Sequence, residues 1–123
     1  MKVLVTGGRK FTDTEAGFAF LLKVHAMFDI TEIVVGDATG ADTIAVWFAE
    51  LMNIPFTIHK ADWKKHDNHA GRVRNFQMLA KSKPDLIAAL PGGTGTTNMI
   101  LTAKKHGYPV VTSWLEDKFL RPL

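Results

Sequence analysis

The chain has no cysteine among its 123 residues. That absence removes disulfides, thiol nucleophiles and thiolate metal ligands together. A cytoplasmic protein is the plain expectation from it. No stretch approaches the ~20 uninterrupted apolar residues that span a bilayer, so no membrane partner is expected. No block of like charges forms an acidic or basic tail. Low-complexity segments, internal repeats and linkers are also lacking, and one compact domain over residues 1–123 is expected. The opening "MKVLVTGG" reads as a first strand running into glycines and not as a signal peptide.

What remains is a chain with 46% apolar residues, enough to build a core at this length. Its formal net charge is +3. An excess of that size suits an anionic small ligand as well as it suits nucleic acid, so charge alone does not choose.

Short β-branched runs alternate with helical patterns. Strands are expected at Lys2 to Thr6, Glu32 to Gly36, Pro55 to Lys60, Leu86 to Leu90 and Pro109 to Thr112. Helices are expected over Ala16 to Phe28, Gly40 to Met52, about Asn68 to Ser82, and Gly95 to His106. Thr12 stands three residues before Glu15, the spacing of a capping box. The alternation and the continuous apolar strands imply a mostly parallel sheet of about five strands covered on both faces. The expected fold is α/β, a three-layer Rossmann-like domain with its chemistry at the carboxyl ends of the strands. The tail "SWLEDKFLRPL" suggests a short helical turn packed on the body. Two helices, "GFAFLLKVHAMF" and "ADTIAVWFAELM", are apolar nearly all round, which points to burial by a second copy of the chain.

Three turns that follow strands carry glycine: Gly7-Gly8-Arg9, Gly36-Asp37-Ala38-Thr39-Gly40, and Gly92-Gly93-Thr94-Gly95. Each precedes a helix, so unpaired N–H groups and the positive end of a helix dipole collect at one sheet edge, which favours an anion. One such turn is commonplace; three, joined by threonine hydroxyls, favour phosphate binding. Arg9 and Arg74 are the candidate cationic partners, since the guanidinium fork suits phosphate. Phe11 is placed to cover a base or ribose.

Four stretches, "VLVTGGRKFTD", "VVGDATGADTIAVWFA", "ADWKKHDNHAGRVRN" and "LPGGTGTTNM", resemble the SLOG superfamily in order and spacing. Within it the likeness is to the YspA branch of YpsA-related proteins. More distant relatives by this likeness are the Lonely Guy phosphoribohydrolases, DprA and molybdenum-cofactor carrier proteins. The resemblance implies a Rossmann-like sheet that holds a nucleotide or nucleotide-derived ligand. Gly7, Arg9 and Phe11 match the first YspA motif, and Gly36, Gly40, Ala41 and Asp42 the second. Trp63, Ala70, Gly71, Arg74 and Asn75 match the third, and Pro91 to Thr96 the fourth. Asp67 stands where the branch usually has glycine, and His69 replaces a small residue.

Lonely Guy enzymes carry P-G-G-x-G-T-x-x-E, whose glutamate works beside an arginine that Arg74 resembles. Counted from Pro91, the glutamate position of that pattern falls on Met99, and Asn98, one residue before it, is the polar residue nearest the missing carboxylate. Asparagine hydrogen-bonds but neither takes a proton nor carries negative charge. Cleavage of an N-glycosidic bond calls for both. Asp37, at the end of the second strand, is the candidate substitute carboxylate; an ordinary turn aspartate is the simpler reading of it. Asp42 and Asp13 are explained by capping or by tethering a loop. His66 and His69, with Asp67 between them, lack a third ligand, so no metal is expected. No cofactor is expected either.

The expected ligand-holding set is Gly7, Gly8, Arg9, Phe11, Gly36, Gly40, Trp63, Gly71, Arg74, Asn75, Gly92, Gly93, Thr94, Gly95, Thr96 and Asn98. The expected function is binding of a nucleotide-like small molecule as a sensor or carrier. A hydrolase using Asp37 and Arg74 is the enzymatic alternative. DprA-like binding of single-stranded nucleic acid ranks last, because the charge is mild and no aromatic–basic surface is evident.

Overall fold

A computed structural model of the chain describes residues 1–61 and 70–115. Five strands alternate with four helices: β1 (Lys2–Thr6), α1 (Thr14–Phe28), β2 (Glu32–Gly36), α2 (Ala41–Leu51), β3 (Phe56–His59), α3 (Ala70–Ser82), β4 (Leu86–Ala89), α4 (Thr94–Lys105) and β5 (Val110–Thr112). A short 3-10 turn, Ser113–Leu115, follows. The strands lie in the order β3-β2-β1-β4-β5 and every pair is parallel. The rest of the tail lies outside the described residues.

Alternation along the central strands divides the core in two. Val3 and Val5 of β1 and Ile33 and Val35 of β2 face α1 and α2, where Phe20, Leu21 and Phe48 complete one apolar layer. Leu4, Val34 and Ile87 face the other way, onto Met78 and Leu79 of α3 and Met99 and Ala103 of α4. Helices therefore cover both faces, as the continuous apolar strands imply. β1 sends its helix to one face and β4 sends its helix to the other. Their carboxyl ends consequently diverge, and a crevice opens between them.

Two local features differ from the sequence expectation. Helix α1 begins at Thr14, and its cap is Asp13, whose Oδ1 accepts the Ala16 N–H at 3.0 Å. Aspartate is the stronger acceptor, and it wins over the Thr12–Glu15 box. Strand β3 is apolar in sequence yet largely exposed, with Ile58 44% accessible. It is an edge strand with a neighbour on one side only. Trp47 and Leu51, one turn apart on α2, are 50% and 68% exposed.

Replacing the cap tests how α1 is anchored. Asp13→Ala should lower unfolding free energy by about 1 kcal/mol, read by urea denaturation, and leave the fold unchanged.

Candidate ligand-binding site

The first and third glycine turns and the start of α2 are bonded to one another through Gly8. Its N–H donates to the Pro91 carbonyl at 2.8 Å, and its carbonyl accepts the Ala41 and Phe11 N–H groups, each at 3.1 Å. Thr39 Oγ1 adds a bond to the Arg9 carbonyl at 2.9 Å. Gly40 permits this closeness: its φ is +75°, and a side chain there would strike the Gly8 and Arg9 backbones. Gly7, Gly8 and Gly92 are likewise closed in by their neighbours.

Beside this junction is a cavity of about 850 Å³. The first turn lines it with Gly7, Gly8, Arg9 and Phe11, and the last with Gly92, Gly93, Thr94, Gly95 and Thr96. Gly71, Arg74 and Asn75 come from the N-terminal half of α3, and Asn98 from the N-terminal half of α4. Gly36, Asp37 and Gly40 do not line it. Trp63, together with His66, Asp67 and His69, lies outside the described residues. Sequence reasoning missed Lys10, Asp42, Arg72 and Met78 as lining groups. Arg72 carries a readable signal, standing two residues before Arg74. Asp42 carries one in its match to the second YspA motif, but its burial does not show in sequence, because it depends on how β2 and α3 pack.

Gly93 is the N-cap of α4 and supplies no side chain to cap it. The N–H groups of Thr94, Gly95 and Thr96 belong to the first turn, where a helix has no acceptor of its own. They and the helix dipole favour an anion there. Asn75 links this end to the arginine: its Nδ2 donates to the Gly95 carbonyl and to Asn98 Oδ1, and its Oδ1 accepts from Arg74 Nε, each at 3.4 Å. Asn98 thus accepts a hydrogen bond in this network.

Arg74 is held from the other side as well. Its Nη1 donates to Asp37 Oδ1 at 2.9 Å, an ion pair with the arginine side chain only 13% exposed. The guanidinium lies against Gly36, where any side chain would displace it. Asp37 Oδ1 also accepts the Ala61 N–H at 3.4 Å. Asp37 therefore positions Arg74 and ties down the chain after β3. Asp42 sits behind the same guanidinium, 6% exposed, with its Oδ2 accepting the Ala38 N–H at 3.1 Å. Burial pushes its carboxyl up to about 6, while the Ala38 N–H, Arg74 and Arg9 pull down and Asp37 adds to the rise. His59, at the end of β3, is lowered by burial and by the charges of Lys81 and Arg74.

The model of the YAcAr family, the YspA, cpYpsA-related SLOG family, matches residues 1–66, which include the first two glycine turns. The Gene 61 protein of Mycobacterium phage D29 is 35% identical over 118 residues, covering 89% of this chain and 94% of that protein. Among solved structures, UDP-GlcNAc 2-epimerase from Neisseria meningitidis bound to UDP-GlcNAc is 21% identical with a TM-score of 0.55. A second UDP-N-acetylglucosamine 2-epimerase is 18% identical with a TM-score of 0.56. Each comparison covers 91% of this chain but 32% of the epimerase, so the chain spans about a third of their length. These likenesses establish a Rossmann-like fold.

The buried carboxyl makes stability depend on pH. Asp42 rises from 3.8 to about 6 on folding, so the folded state holds its proton more tightly between those values. The contribution of Asp42 is most favourable below about pH 4 and is lost as the pH rises through about 6. Asp42→Asn should match the parent near pH 4 and exceed it by up to about 3 kcal/mol at pH 7, read by denaturant unfolding at each pH.

Proposed function

Because the chain belongs to the YspA, cpYpsA-related SLOG family, we propose that it binds a nucleotide or nucleotide-derived ligand, as a sensor or carrier. The phosphate lies on the turn from Gly92 to Thr96, against the first turn of α4. Arg9 and Arg74 supply positive charge, Arg74 from the place where Asp37 holds it.

The observation that carries this reading is the space at Gly93 and Gly95. Among the described residues a Cβ at either would meet nothing within 4 Å, and neither has a positive φ. Gly95 lies within the first turn of α4, where glycine costs roughly 1 kcal/mol against alanine. Packing and backbone strain do not require glycine at either position, whereas close approach of a ligand does. Gly71, at the start of α3 on the same cavity, has the same open surroundings. The epimerase structure from Neisseria holds a nucleotide sugar on a related sheet, which is support by analogy of fold.

Binding has more support here than hydrolysis. Neither Asn98 nor the buried Met99 beside it offers proton chemistry, and the Asp37 carboxylate is bonded to Arg74 and Ala61 outside the cavity lining. Nucleic-acid binding has only a few basic groups at the mouth of one cavity behind it. The exposed Trp47 and Leu51 support self-association through α2. Sedimentation equilibrium should then show a dimer or larger species that Leu51→Glu dissociates; a monomer at every concentration reached would count against it.

Calorimetric titration with a panel of nucleoside mono- and diphosphates tests the binding reading. At least one should bind saturably. Gly93→Asp places a carboxylate where the phosphate sits and also caps α4, so it should weaken binding at least tenfold without lowering the melting temperature. No binding at millimolar ligand, or undiminished binding by the variant, contradicts the reading.

A further inference from the structure

Asp42 is the one carboxylate among the described residues that line the cavity, which Arg9, Lys10, Arg72 and Arg74 also line. It is 6% exposed, lodged at the start of α2 behind the Arg74 guanidinium. Only Oδ2 receives a bond among the described residues, from the Ala38 N–H. Tethering that loop does not require a charge, since an asparagine carbonyl would accept the same N–H. Its raised proton affinity, described above, shows that the charge costs stability in this position. A buried carboxylate kept in a cavity wall at such a cost fits a group that acts on a ligand.

We propose that Asp42 is the specificity-determining group of this cavity, accepting a hydrogen bond from a sugar hydroxyl of a phosphorylated ligand. This rests on the binding reading above and names the second pole of that site. A carboxylate repels phosphate, so the anion belongs at the α4 terminus and the neutral part of the ligand at Asp42. The Arg74 and Arg9 charges that act on Asp42 disfavour a positively charged donor at that pole. A neutral hydroxyl remains, and a charge-assisted bond to it is stronger than one to an amide carbonyl. The cavity, at about 850 Å³, has room for a phosphate and a sugar together. Asp42 thereby favours sugar phosphates over bare phosphate, and Gly36 provides the space in which Arg74 and Asp42 lie side by side.

The test is calorimetric titration of the full chain with inorganic phosphate, ribose 5-phosphate and adenosine monophosphate. The parent should bind ribose 5-phosphate more tightly than phosphate. Asp42→Asn should weaken ribose 5-phosphate and adenosine monophosphate about tenfold while phosphate affinity holds or improves. Asp42→Ser, a second short polar residue suited to a first helical turn, should give the same split. Unchanged ribose 5-phosphate affinity, or an equal loss for phosphate, overturns the assignment. A loss confined to adenosine monophosphate would place a base amine at Asp42 and overturn it as well. If the parent binds none of the three, the binding reading falls, and this inference with it.

Discussion

Gly8 is bonded through both its N–H and its carbonyl, and the candidate site depends on that arrangement. Its N–H reaches the turn after β4 and its carbonyl reaches the start of α2. The turn after β1 is thereby fixed between its neighbours at the point where β1 and β4 part. A side chain on Gly40 would push the first two turns apart. With the turns locked, the N-terminal halves of α3 and α4 open onto one cavity, and the backbone donors of α4 have a defined place to act.

The layer architecture was legible because buried parallel strands must be continuously apolar, and the runs at Val3, Ile33 and Ile87 say so. β3 was legible as a strand, but its exposure was not, because edge position depends on strand order. The glycine turns were legible as a group. Their division of labour was not: Gly36 and Gly40 serve internal packing, while a Cβ on Gly71, Gly93 or Gly95 would meet nothing within 4 Å among the described residues. Sequence shows where glycine stands and leaves out what a Cβ would meet.

The charged groups show the same limit more sharply. In sequence Arg74 reads as a candidate cationic partner for phosphate, and Asp37 as the best candidate to replace a glutamate, with an ordinary turn aspartate the simpler reading. In the folded chain they are bonded to each other, 37 residues apart in sequence. Asp42, explained in sequence by its helix-start position, does tether Ala38 as expected. It is also buried, and burial gives its charge a cost that Arg74 only partly relieves and that the tether alone does not account for. Asn98 keeps a polar contact through Asn75, in line with a site that orients a ligand.

The central claim is that the first turn of α4 receives an anion. Amide chemical shifts of the isotopically labelled chain, followed as adenosine monophosphate is added, test it most directly. The largest saturable shifts should fall on Gly93, Thr94, Gly95 and Thr96, with smaller ones on Gly8 and Arg9. Shifts centred elsewhere on the fold, or none at millimolar ligand, would contradict the account.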